Sequence, residues 1–200
     1  MPPSTPFDAP IHTCARCKLR ATCRLPVPGD GNFSAPVLFV GEAPGAQEDV
    51  ANKPFVGRSG KLLTGILEGL GMVRDRDYYI SNIVKCRPPE NRDPTPEEIT
   101  ACSPWLVEQI RTMKPKVIVT LGRFSFSFLV PGKQISQARG TTYRIRAVAG
   151  QLLENSPLVL ACYHPAVALY DPRKKQTIID DLAKLPKLIQ LSQVTLATGR

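Results

Sequence analysis

Three apolar runs end on residues able to handle a heterocycle. Val37-Leu-Phe-Val-Gly41 leads into Glu42, the run Tyr79–Val84 is interrupted by Asn82, and Leu158–Cys162 leads through Tyr163 to His164. An amide carries a donor and an acceptor on one side chain and so suits the edge of a base. An asparagine that only caps a turn looks the same in sequence. A histidine can donate to an oxygen that becomes anionic during a reaction, and a structurally satisfied histidine is its ordinary alternative. The loop Gly41-Glu42-Ala43-Pro44-Gly45 lets a ligand approach the backbone closely, although glycines at strand ends are common. In Lys53-Pro-Phe55-Val-Gly57-Arg-Ser-Gly60, Phe55 offers a ring to stack on a planar base, and the helix start behind it offers N–H groups to a phosphate. Core packing is the commoner fate of a phenylalanine. The other histidine, His12, lies in a loose N-terminal segment and receives no role.

The cysteines carry a second chemistry. Cys14 and Cys17 form a Cys-x-x-Cys clip, and Cys86 and Cys102 supply a second, widely spaced pair. Four thiolates suffice for zinc or for an iron–sulfur cluster. A structural zinc site usually has a second tight clip, so the wide spacing favours a cluster. Cys23 could replace one of the four and keeps the ligand set open. Cys162 sits in an apolar run and reads as a small buried hydrophobe. A redox clip would need a strand before it and a helix after it, and here the surroundings are proline-rich.

These positions need a frame. Residues 1–35 read as irregular, and 36–192 as an α/β core. Strands are expected at Val37–Gly41, Tyr78–Val84, Lys116–Leu121 and Leu158–Cys162. Helices are expected at Ser59–Gly71, Thr95–Met113, Gly122–Leu129 and Pro172–Gln190, the last interrupted near Pro186. Thr95 is a candidate cap with Pro96 at the first helical position. Thr141–Ala147 alternates like a strand and could form a hairpin with residues near Leu152. Strands alternating with helices imply a mostly parallel sheet covered on both faces, and such sheets bind ligands at the carboxyl ends of their strands. Those ends are Gly41-Glu42, Asn82 and Tyr163-His164.

The 200 residues fit one domain, 1–200, large enough for a core without disulfide staples. Apolar residues are 42% and charged residues 22%, which argues against a disordered or membrane-embedded chain. Lysine plus arginine is 26 against 17 acidic residues, and the net +9 favours a polyanionic partner such as nucleic acid. No apolar run is long enough to span a bilayer. The start Met1-Pro-Pro-Ser-Thr-Pro shows no signal peptide, so a cytoplasmic protein with reduced thiols is expected.

Taken together, GEAPG at 41–45, ED at 48–49, PFVGRSG at 54–60, Asn82 shortly before Cys86, and YHPA at 163–166 resemble the family-4 uracil-DNA glycosylases. The resemblance runs over residues 12–190. It implies a three-layer α/β/α fold with a central four-stranded parallel sheet, and a [4Fe-4S] cluster held by Cys14, Cys17, Cys86 and Cys102. It implies a uracil pocket made of Gly41, Glu42, Ala43, Phe55, Asn82 and His164, with Glu48 guarding the C5 side against thymine. It further implies a monomeric enzyme of base excision repair acting on uracil-containing DNA, with His164 stabilising the leaving uracil and Glu42 placing the water. The segment 166–175 is similar to the one that enters DNA in this family. Lys53, Lys61 and Lys85 are expected to face phosphates. A superfamily member that captures DNA through a histidine in a basic loop is not matched, because Arg87–Pro94 contains no histidine. A non-enzymatic zinc or iron–sulfur nucleic-acid-binding module would explain the charge and the cysteines, and a redox carrier the cysteines alone. Neither needs Phe55, Asn82 and His164.

Overall fold

The computed structural model describes residues 5–197. Residues 1–4, on which part of the leader reading rested, and residues 198–200 of the expected domain lie outside the described residues. The sheet strands are β1 (Asp30–Gly31), β2 (Val37–Gly41), β3 (Tyr78–Asn82), β4 (Val117–Leu121), β5 (Thr142–Arg144) and, after the small hairpin of β6 (Ala147–Val148) and β7 (Gln151–Leu152), β8 (Leu158–Cys162). Their order is β1-β3-β2-β4-β8-β5. The middle four, β3-β2-β4-β8, are parallel, in register from Val37 beside Tyr78 and Val117 to Leu121 beside Cys162. These are the four expected strands. Their near-continuous apolar sequence follows from burial on both faces. The two edge strands run antiparallel, which the expected four-stranded sheet did not contain.

The first helices are α1 (Asp8–His12), α2 (Ala46–Ala51), α3 (Arg58–Gly69) and α4 (Arg74–Asp77). The segment 1–35 is therefore not wholly irregular: it holds α1, a 3-10 turn at Lys18–Ala21 and β1. Helix α3 starts at Arg58 rather than at Ser59, with Gly57 at its cap. Then comes α5 (Pro96–Met113), capped as expected by Thr95, whose hydroxyl accepts from Glu98 N while the Glu98 carboxylate accepts from Thr95 N. Pro104 lies inside α5 and withholds an N–H, and the Ser103 hydroxyl donates to the Thr100 carbonyl left over, at 3.5 Å. The chain continues through α6 (Arg123–Leu129), α7 (Ile135–Ala138), α8 (Val167–Tyr170), α9 (Arg173–Leu182) and α10 (Leu185–Ala197). The expected C-terminal helix breaks between Leu182 and Leu185, and Pro186 sits in the first turn of α10, where proline is tolerated.

Two further expectations shift. Strand β3 stops at Asn82, and Ile83 and Val84 instead turn to donate to the carbonyls of Gly41 and Glu42 while packing into the core. Thr142–Arg144 pairs with β8, and it is Ala147–Val148 that forms the hairpin with Leu152. The helices divide the core in two. One half gathers α5 and α6 with the cysteines Cys23, Cys86 and Cys102, and the other gathers α3, α9 and α10.

Candidate active site

The carboxyl ends of β2, β3 and β8 meet above the sheet. There Ala43, Gly45, Glu48, Phe55, Ser59, Asn82 and His164 line a cavity of about 140 Å³. Larger depressions of about 370 and 250 Å³ lie elsewhere, one between α3 and α9 and one near the start of β8. Neither contains Asn82, Phe55 or His164. Gly41 and Asn82 are register partners. A Cβ on Gly41 would come within 2.4 Å of Asn82 Oδ1 and 2.6 Å of Phe55 Cζ, so the missing side chain leaves room for both groups over this strand end.

Asn82 is 2% exposed, and its Oδ1 has no hydrogen-bond partner among the described residues. A buried acceptor left unpaired points to something absent from the protein itself. The Phe55 ring lies 5.9 Å from the His164 ring at 35°. Phe55 is a buried residue with φ +56°, an uncommon backbone state for a non-glycine residue. Several contacts hold it there. Glu48 Oε1 accepts from Val56 N and Gly57 N, at 3.0 and 2.7 Å. Arg74 donates to the carbonyls of Pro54 and Phe55, at 3.0 and 3.3 Å, and pairs with Asp30. Gly60 packs so tightly that a Cβ would fall 2.1 Å from the Phe55 carbonyl group. Arg74 was not found from sequence; it sits in a short polar helix far from every motif.

His164 Nδ1 accepts from the Ala166 N–H at 3.2 Å, so in the neutral ring Nε2 carries the proton. Burial holds its pKa down at about 4, against a weaker upward pull from Glu48. His164 is therefore a neutral N–H donor near pH 7. Glu42 goes the other way: burial, with help from Asp93 and against Arg123, raises it to about 7. It is absent from the cavity lining proper, as is Gly41. His12 meets Asn52 instead, at 3.1 Å.

The thiols converge beside this pocket. Cys23 Sγ lies 2.8 Å from Cys86 Sγ, Lys85 N donates to Cys102 Sγ at 3.2 Å, and Trp105 Nε1 donates to Cys14 Sγ at 3.2 Å. Cys17 packs against the same core. All six cysteines are free of disulfides, and Cys162 is buried apart from these five, in the other half of the core. Among the described residues no three His, Cys, Asp or Glu side chains are drawn together as a site for one metal ion. The fit to a polynuclear cluster rests on the converging thiols and on N–H groups already aimed at sulfur. Burial raises Cys102 to about 11, so in the absence of metal it stays protonated, and ligation would have to displace that proton. Of the lysines expected at phosphates, Lys53 and Lys61 are exposed. Lys85 is not: it is 1% exposed and its Nζ donates to Ser81 Oγ, the Asn82 carbonyl and Gln109 Oε1, so it reaches no phosphate.

A strand-end pocket with an orphaned amide acceptor, an aromatic ring and a neutral imidazole donor defines a protein equipped to hold a flat heterocycle. A family model described as the uracil DNA glycosylase superfamily matches residues 28–183. A type-4 uracil-DNA glycosylase of Saccharolobus solfataricus is 42% identical over 93% of this chain and 86% of its own length. One from Archaeoglobus fulgidus is 42% identical over 93% of both, and one from Thermotoga maritima 38% over 90% and 91%. The chain belongs to the uracil DNA glycosylase superfamily and, within it, stands with the type-4 enzymes.

Proposed function

We propose that the protein is a monofunctional uracil-DNA glycosylase of base excision repair, which flips uracil out of DNA and hydrolyses its N-glycosidic bond. The observation that carries this is the unpaired, buried Asn82 Oδ1 facing a cavity closed by Phe55 and His164. Uracil presents an N3–H beside O4, so Oδ1 accepts from N3–H while Nδ2 donates to O4. Cytosine lacks the N3 proton and carries an amine at C4, which reverses both contacts. Phe55 stacks on the ring, and the backbone of Gly41, Glu42 and Ala43 closes one edge. Glu48 guards the C5 side and also holds the Phe55 loop through its two N–H contacts.

The base must leave the stack to be reached. As the C1′–N1 bond stretches, positive charge grows on the sugar and negative charge on the uracil. His164 Nε2–H donates to O2 as that charge develops, and because the ring is neutral it does so without giving its proton away. Water adds at C1′, the bonding electrons leave with N1, and the departing uracil is then protonated from solvent. Glu42, ionised above about pH 7, orients that water. No lysine lines the cavity, so a free abasic site is the expected product.

Cys14, Cys17, Cys86 and Cys102 would hold a [4Fe-4S] cluster, with Cys23 an adjoining thiol. When bound, the cluster supplies a structural tie between the N-terminal segment and the chain just after Asn82. Free thiols suit the cytoplasm, where the enzyme would act on nucleoid DNA as a monomer. No helix among the described residues is long and apolar enough to cross a membrane. The test is incubation of iron-loaded protein with a uracil-containing oligonucleotide, expecting free uracil and alkali-labile sites. DNA binding without release of uracil would leave only a binding module.

A further inference from the structure

The ring that would stack on uracil is aimed from outside the pocket. Phe55 has φ +56°, a backbone state that a residue other than glycine keeps only under constraint. Glu48, which lines the cavity, accepts from two N–H groups of the Phe55 loop. The carbonyl side of the same loop is taken by Arg74, which does not line the cavity.

Arg74 Nη1 donates to Asp30 Oδ2 and to the Pro54 carbonyl, each at 3.0 Å. Its Nη2 donates to the Phe55 carbonyl at 3.3 Å and to Thr64 Oγ1 at 3.4 Å. The four terminal hydrogens of the guanidinium thus meet four acceptors, on β1, on the Phe55 loop and on α3. In an extended chain successive carbonyls point to opposite sides, so one guanidinium could not meet both. The turn at Phe55 brings the Pro54 and Phe55 carbonyls to one side, and the fork that grips both holds the chain in that turn.

The fork is itself held. The Arg74 side chain is 17% exposed and that of Asp30 9%. Asp30 lies in β1 opposite Ile80 of β3. Next to it Gly31 allows a close approach: a Cβ there would fall 2.4 Å from the Tyr78 carbonyl oxygen and 3.1 Å from that of Arg74. Asn32 N donates to the same Arg74 carbonyl at 3.3 Å. So the stub β1 carries the carboxylate that aims the arginine, and the residues after it fix the arginine's backbone.

We propose that Arg74, aimed by Asp30, is the positioning residue for Phe55: its guanidinium fixes the turn that presents the ring to the flipped base. This rests on the reading of the pocket as a uracil site. It gives the antiparallel edge of the sheet a part in base recognition, although no atom of Arg74 or Asp30 touches the base.

The test uses iron-loaded, full-length Arg74→Lys. Lysine keeps a charge for Asp30 but is a point donor that cannot reproduce the fork. The single-turnover rate of uracil release should fall about tenfold, as when a pocket group is misplaced. The inhibition constant of free uracil should rise about tenfold, within the range for losing a stacked base. Affinity for duplex containing an abasic site should stay at the parent's value, because no base then sits under the ring. In Phe55→Leu, which has no ring to aim, the same lysine substitution should change release less than about twofold, since the two effects run through one group. Should Arg74→Lys fail to fold, Asp30→Asn leaves the arginine in place, removes the charge that aims it, and should slow release in the parent but not in the Phe55→Leu background. Parental release or a parental uracil constant in Arg74→Lys, or parental release in Asp30→Asn where that variant stands in, overturns the proposal. So does an equal loss in the Phe55→Leu background or an equal loss of abasic-site binding, either of which would mean a general loosening. A parent protein that releases no uracil overturns the uracil reading instead, so the two failures are told apart by the parent's own activity.

Discussion

Removing the His164 imidazole should slow single-turnover uracil release by about 10²–10³-fold, the scale for losing one donor to a developing anion. Saturating DNA should not restore the rate, because the lost contact strengthens only as charge develops. Recovery at high DNA concentration would make His164 a binding residue. Release should also depend on pH. On the proposed reading Glu42, raised to about 7 by burial, orients water only when ionised, so the rate should climb with pH through about 7, and Glu42→Gln should flatten that limb. His164, held at about 4, should add no limb near its ordinary 6.5; its neutral form instead stabilises the fold, an effect lost as pH falls from about 6.5 through 4. A rate profile measured from pH 5 to 9 on both proteins checks this. At this scale the sequence was informative: Asn82 and His164 stood out as lone polar residues at the ends of apolar runs. What it hid was the tautomer of His164, set by a backbone N–H two residues on, and the burial of Lys85, whose type alone suggested a surface.

Strand and loop geometry fix how close those side chains come. Gly41→Ala would thrust a methyl into Asn82 Oδ1 and the Phe55 ring, not into the sheet backbone. It should lower excision about 100-fold, since small misplacements near the reacting groups have effects of that size. The thermal midpoint should stay close to the parent's, and a large fall in that midpoint would place the damage in the sheet. The four parallel strands were legible because burial on both faces makes them apolar throughout. Strand β1 was not, since two residues, Asp30-Gly31, carry no periodicity. Nor was α2, a single short helix in which Asp49 is the buried residue and no apolar stripe forms. The overshoot at Ile83-Val84 has a plain cause: those residues are buried in the cysteine half of the core, so their apolar character reports packing and not strand.

Across the molecule, the two halves of the core carry different duties, and iron should separate them. Cys86→Ala should lose most of the roughly four irons expected per chain and lower stability with them, whereas Cys23→Ser should keep the iron. Equal loss in both variants would redraw the ligand set around Cys23. On the face expected to meet DNA, Tyr170 at the end of α8 is 89% exposed, followed by Arg173, Lys174 and Lys175 on the surface. Tyr170→Ala should weaken binding to uracil-containing duplex by about 1–3 kcal/mol if the ring stacks where the base departs, and titration of duplex against single strand would show it. The sheet has one more consequence. Its outer strands, β1 and β5, are only two and three residues long and run against their neighbours. A long flat margin would offer a ladder of unmet amides to any passing chain, and these stubs offer almost none. Copies of the chain are thereby kept from zipping together edge to edge.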